Sequence, residues 1–182
     1  AVLNDVGSIS KISTCKKKLS EREFILPISQ IIGDNHKILH YRQCTESKIS
    51  QFDKIIICGT SLKDNFYIKE LDTFRKLFYN FQGSILGICS GMHIVCSIFG
   101  SEIIENIEIG MVEVKTIKEN PLCENVFQAY NIHNYTVGKL DNFTLLARTK
   151  TSPQIVKHNS KNIFGMSFHP EVRNETILSN FM

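Results

Sequence analysis

The sequence predicts an α/β protein: an open, mostly parallel sheet flanked by helices, with antiparallel additions in the second half. Three observations lead there. A β-branched run, Ile55-Ile56-Ile57-Cys58, ends in Gly59. A second run, Ile85-Leu86-Gly87-Ile88, meets a sharp turn at Cys89-Ser90-Gly91 and passes into an apolar stretch of helical length, Ile94 to Phe99. Strands that alternate with helices pair in parallel through right-handed crossovers. Beyond residue 100, short apolar runs are separated by turn residues, the pattern of antiparallel strands.

Taken in order, Ala1-Val2-Leu3 reads as a first short strand and the polar residues 9–20 as loop. A helix is expected from Ser20, an N-cap with Glu23 three residues on, to about Ile32, with Pro27 breaking or kinking it. Lys37 to Tyr41 forms the second strand and Asp53 to Gly59 the third. Residues 66–81 place Phe66, Ile68, Leu71, Phe74, Leu77, Phe78 and Phe81 at helical spacing, a face made to cover the sheet. The later strands are expected at 103–104, 111–114, 126–130, 143–147, 154–156 and 163–168, and a terminal helix at 174–181 packs Ile177, Leu178 and Phe181.

The 182 residues suit one domain, 1–182, with an ordinary globular balance of 42% hydrophobic and 21% charged residues. A net charge of +3 is too small to argue for nucleic acid, and the run Lys16-Lys17-Lys18 reads as a solvated face. Six cysteines are scattered without a C-x-x-C pair, which points to reduced thiols in a cytoplasmic protein and gives no zinc-ligand spacing. No apolar stretch is long enough for a membrane span, and the start lacks a signal peptide's layout.

Chemistry concentrates at Cys89. A tight strand-to-helix turn strains its central residue, and the flanking glycines let neighbouring chain come close. Cys89 is therefore expected at the top of the sheet, exposed, with the positive end of a helix favouring its thiolate. In a parallel sheet reactive groups gather at the carboxyl ends of strands, so Gly59 should be its neighbour. A cysteine nucleophile needs a base, and the base needs an orienting group. Phe168-His169-Pro170-Glu171 offers both, with Pro170 fixing the backbone so that His169 and Glu171 point the same way. His36, His40 and His158 carry no such context.

Gly87-Ile88-Cys89-Ser90-Gly91-Met92-His93 together with Phe168-His169-Pro170-Glu171-Val172 resembles the class I, triad-type glutamine amidotransferases, whose motifs read G-I-C-x-G-x-Q and F-H-P-E. Ile57 to Ser61 is similar to that family's oxyanion loop, Ile109 to Val114 to its following strand, and Ile132 to Val137 to its S-H-x-D-x-V segment. The resemblance implies a flavodoxin-like sheet and a Cys89–His169–Glu171 triad that hydrolyses the side-chain amide of glutamine. It further implies that Ser90, Gly59 and Thr60 hold the oxyanion, and that His93, His133, Asn134 and Tyr135 surround the substrate. The ammonia acceptor is expected on a separate synthase chain of the ATP-pyrophosphatase type, since the sequence runs only to Met182 beyond Glu171. The wording is most similar to amidotransferase subunits of two-chain GMP synthases. ATP and magnesium then belong to the partner, and this chain needs no cofactor or metal.

Three positions depart from the pattern. His93 stands for a substrate-holding glutamine, Thr60 for a glycine of the oxyanion loop, and Tyr135 for an aspartate, with Asn134 where glycine is frequent. As the i+4 neighbour of Cys89, His93 is also an alternative base or a structural residue. Two further functions compete: a free-standing γ-glutamyl hydrolase or amidase, and a catalytically impaired amidotransferase that binds and regulates a synthase.

Overall fold

A computed structural model describes residues 9–13, 21–123 and 125–182. Among these described residues nine strands form one sheet in the order β2-β1-β3-β4-β9-β8-β7-β5-β6. They are β1 (Ile9–Ser13), β2 (His36–His40), β3 (Lys54–Ile57), β4 (Ser84–Ile88), β5 (Ile103–Thr116), β6 (Val126–Val137), β7 (Phe143–Arg148), β8 (Pro153–His158) and β9 (Ile163–Met166). The first five in spatial order are parallel, and β8, β7, β5 and β6 continue the sheet antiparallel. The expected architecture of a parallel half with antiparallel additions is the one observed.

Alternation along the central strands assigns the two layers. Ile55, Ile57 and Ile85 face a cluster with Phe74, Phe78, Met92 and Val95, whereas Ile56, Leu86 and Ile88 face one with Ile28, Phe168, Ile177, Leu178 and Phe181. Helices therefore cover both faces: α3 (Leu71–Phe78) and α4 (Ser90–Ile98) on one, α1 (Leu26–Ile32) and α6 (Glu175–Phe181) on the other. The short helices α2 (Glu46–Ile49) and α5 (Pro170–Arg173) complete the set. Strands buried on both faces need continuous apolar runs, which is why β3 and β4 were legible without alternation.

Several expectations change. The strand expected at Ala1-Val2-Leu3 and the cap at Ser20 lie outside the described residues. Residues 9–13, expected as loop, form β1, paired in parallel with both β2 and β3; its ladder comes from two neighbours far along the chain, a tertiary effect that outweighs weak local propensity. Pro27 does not break its helix. It sits in the first turn of α1, where no N–H is missed, behind a π-helical turn at Glu21–Ile25. The helix expected at 66–81 begins as a 3-10 turn, Phe66–Glu70, before α3. That tighter winding rotates Phe66 outward to 49% exposure and buries Tyr67 instead. The runs at 103–104 and 111–114 are one strand of 14 residues, irregular between Glu105 and Glu108 and carried through Gly110 at φ 109°. Its partner β6 reaches Val137, beyond the expected end at 130. Among the described residues no helix is long and apolar enough to cross a membrane.

Candidate active site

Cys89 closes β4 and caps α4 with φ 52° and ψ −109°, a conformation that costs a non-glycine residue about 1–3 kcal/mol. The surroundings hold it there. Its N–H donates to the Met166 carbonyl at 2.7 Å, and its carbonyl accepts the Met92 N–H at 2.9 Å. The glycines on either side are demanded by contact: a Cβ on Gly87 would stand 2.3 Å from the Gly91 carbonyl oxygen, and one on Gly91 would stand 2.1 Å from that of Ile57. Strand and helix cross too closely for any side chain.

The second element comes from β9. Past Met166 the chain bends at Ser167 and Phe168, and the His169 N–H donates to the Tyr130 carbonyl at 2.9 Å before Pro170 opens α5. His169 and Glu171 then face one another, Nδ1 donating to Oε1 at 2.8 Å, both side chains buried. The Phe24 ring covers the imidazole at 5.0 Å between centroids. Burial opposes charge on His169, but the Glu171 carboxylate and the Cys89 sulfur outweigh it and push the imidazole pKa up to about 10.

Gly59 brings the two elements together. A Cβ built on it would lie 2.8 Å from His169 Cε1, 3.6 Å from His169 Nε2 and 3.3 Å from the Cys89 Cβ. Cys89 and the imidazole are thus neighbours at the carboxyl end of β3, in a space only glycine leaves open; the thiol itself donates to the Ile132 carbonyl at 3.9 Å, and His169 Nε2 is buried without a hydrogen bond. The Ser90 and Gly91 amides, the first two of α4, have no carbonyl of their own helix to bond. This arrangement suits a nucleophile, a proton carrier, an orienting carboxylate and donors for a developing oxyanion.

A family profile described as "Glutamine amidotransferase class-I" matches residues 17–181. The chain belongs to this family. A glutamine-hydrolyzing GMP synthase of Borreliella burgdorferi is 31% identical over 163 residues, 83% of this chain and 32% of that protein. A glutamine-hydrolyzing GMP synthase subunit of Methanosphaera stadtmanae is 33% identical over 126 residues, covering 63% of this chain and 67% of that one. The chain spans about a third of the length of the first of these relatives. In fold, a Thermoplasma acidophilum structure assigned to a GMP synthase subunit superposes with a TM-score of 0.85 at 22% identity, over 98% of this chain and 94% of that one.

In this amidotransferase Cys89 is not exposed as expected: it is 5% exposed. The loop after β3 and the end of β6 close over it, leaving a cavity of about 20 Å³ lined by Thr60, Ser61, Leu62, Asn65 and Tyr67 on one side and by Ile132, His133, Asn134 and Tyr135 on the other. Cys89, Ser90 and His93 complete the lining. The residues that the resemblance put around the substrate are thus brought together. Asn134 Nδ2 ties the walls by donating to the Leu62 carbonyl at 3.3 Å. Thr60 raises no strain, because its φ is not positive and its hydroxyl closes the turn onto the Asp64 carbonyl at 3.1 Å. A larger hollow of about 530 Å³ lies at the opposite, amino-terminal end of β3 and β4, beside Asp53 and Gly83, away from the thiol. Among the described residues no group of His, Cys, Asp and Glu is placed to hold a metal ion.

Two residues near the pocket were not legible in the sequence. Tyr67 was hidden by the helical spacing that favoured Phe66. Glu108 sits at the irregular point of β5 and gathers donors from Asn131, Thr149, Thr151, Ser152 and Gln154. Its Oε2 is also 3.5 Å from Nε2 of His133, whose Nδ1 donates to the Asn106 carbonyl at 3.2 Å. Burial opposes its charge, but the hydrogen bonds from His133, Thr151, Thr149 and Ser152 hold the carboxyl down at about 2. A depressed carboxyl stabilises the fold above its ordinary value of 4.5 and loses that contribution as pH falls toward 2. Glu108→Gln is expected to lower stability by about 1–3 kcal/mol at pH 7, since it leaves buried donors without a carboxylate. Urea melts at pH 7 and pH 2.5 should show the gap between variant and wild type narrowing at the lower pH.

Proposed function

We propose that this chain is a glutaminase: it hydrolyses the side-chain amide of glutamine through a thioester on Cys89 and hands the ammonia to a synthase of the GMP synthase type on a separate chain. The observation that carries the reading is the meeting of Cys89, His169 and Glu171 over Gly59. With the proton stored on His169, the sulfur attacks the amide carbon as thiolate, and the oxyanion takes hydrogen bonds from backbone N–H groups at Ser90 and the Gly59-Thr60 loop. His169 gives its proton to the departing nitrogen and ammonia leaves. The neutral imidazole then takes a proton from water as the water attacks the thioester, releasing glutamate and restoring the starting pair. Glu171 holds the imidazole by Nδ1 throughout and balances its charge.

His93 does not suit the base role. Burial and the charge of His133 hold its pKa down to about 3, so the neutral ring resists taking a proton from the thiol. The ATP and magnesium that drive amination belong to the synthase. GMP synthase names on the relatives support that type of acceptor.

The cavity over Cys89 measures about 20 Å³, room for a water rather than a glutamine side chain, and in this reading the loop after β3 parts from β6 as substrate enters. The purified chain should release ammonia from glutamine slowly alone, and at least about 10-fold faster with the ATP-pyrophosphatase subunit of a GMP synthase and its nucleotide substrates present. Full turnover by the isolated chain would instead mark a free-standing hydrolase. No release in either case, with Cys89 inert to a glutamine-like chloroketone, would mark a regulatory subunit.

A further inference from the structure

The floor of the Cys89 pocket is a histidine whose two ring nitrogens are treated unequally. His93 is 2% exposed and Tyr67 4%. The Tyr67 hydroxyl lies 2.7 Å from His93 Nδ1, and the rings stack at 5.9 Å between centroids, tilted by 30°. A buried phenol must place its proton on an acceptor, and Nδ1 is the acceptor the structure gives it. Tyr67 therefore donates, Nδ1 accepts, and the ring's own proton is left on Nε2. Burial keeps the ring neutral, so a single tautomer is the consequence.

Nε2 is buried and completes no hydrogen bond, although the Tyr135 backbone in the opposite wall attracts it. Ser90 Oγ, in the same lining, is also buried without a partner. Buried polar atoms in folded proteins are nearly always paired, so two such atoms in one pocket mark places for ligand atoms. The reacting carbonyl oxygen is taken by backbone donors at the start of α4. His93, one turn further along the same helix face, is left for another part of the substrate.

We propose that Tyr67 is a positioning residue: through Nδ1 it fixes His93 as the Nε2–H tautomer, and that N–H holds a non-reacting oxygen of the amide substrate. The pair is then a specificity determinant. It selects primary amides whose remote end carries an oxygen acceptor, because an analogue without one leaves the N–H buried and unpaired. This rests on the reading of the pocket as an amide-hydrolysing site.

The test uses Tyr67→Phe, His93→Gln and the double variant, with ammonia release measured in the presence of the synthase. Lost binding of a non-reacting group appears in KM, so Tyr67→Phe should raise KM about 10-fold and change kcat less than about twofold. In the His93→Gln background the tyrosine has no ring proton to place, and adding Tyr67→Phe should shift KM less than about twofold. An equal shift in both backgrounds, or none in either, overturns the proposal in favour of mere packing. Ring ¹⁵N chemical shifts of His93 in the wild-type chain, recorded without substrate, give a readout that needs neither turnover nor a variant. A protonated Nε2 with a bare Nδ1 is expected, and the reverse tautomer overturns the proposal. Should the wild type release no ammonia under any condition, the glutaminase reading fails while the ¹⁵N measurement still decides the tautomer.

Discussion

Cys89→Ser is expected to lower glutamine-dependent ammonia release by about 1,000-fold or more while leaving the melting temperature nearly unchanged. The two side chains are similar in size and either must accept the same strained backbone at φ 52°, so folding is little affected. The chemistry is lost because a hydroxyl at this position does not give up its proton to His169 as a thiol does. Labelling makes the same point at a single atom. A glutamine-like chloroketone should add one adduct to the wild type and none to Cys89→Ser, as read by intact mass. The reagent has to be shaped like the substrate, because Cys44 and Cys123 are partly exposed and react with general alkylators. Cys96 is expected to stay silent with either, since burial pushes its thiol pKa far up. Ammonia release by Cys89→Ser at the wild-type rate would remove the thioester from the mechanism.

Glu171→Gln is the second change with a large expected effect. Its oxygen lies 2.8 Å from His169 Nδ1 with both side chains buried, so the amide keeps the shape but neither balances the imidazolium nor fixes the ring by an acceptor alone. Loss of the orienting carboxylate of a triad costs on the order of 1,000-fold or more in kcat, and the same is expected here. The pH dependence carries its own sign. His169 is raised from 6.5 to about 10, so its contribution to stability is complete below pH 6.5 and fades as pH rises through about 10. In Glu171→Gln the largest attraction holding that proton is gone, which leaves the Cys89 sulfur to oppose burial. Melting temperatures taken from pH 6 to pH 10.5 should therefore fall more steeply for the wild type than for the variant. Parallel curves would mean that the carboxylate does not hold the imidazolium.

Both predictions depend on residues that are readable from the chain alone. A cysteine between glycines at a strand-to-helix turn leaves a local signature, because close crossing of two backbones excludes every other residue at positions 87 and 91. His169 and Glu171 are likewise separated by one proline, and their pairing is a short-range matter of backbone direction. The buried runs of β3 and β4 were legible for a related reason: strands covered on both faces admit no polar residue, and the chain shows it.

What the sequence could not supply was anything that depends on two distant segments meeting. β1 exists because β2 and β3 pair with it on either side, and its own residues carry little strand character. Cys89 was expected in the open, yet the loop after β3 and the far end of β6 lie over it. Tyr67 replaced Phe66 at the interior because a 3-10 turn advances the chain by a different angle than the α-helix the spacing suggested. Glu108 is one carboxylate among many until β6 and the stretch 149–154 close around it.

By itself, then, the sequence determined the alternation of strands and helices, the elbow at Cys89 and the histidine-carboxylate pair, all products of contacts within a few residues of one another. Only the tertiary structure decided how closed the pocket is and which side chain stands behind His93. Those depend on where loops and strands far apart in the chain come to rest, and no local pattern of residues encodes that distance.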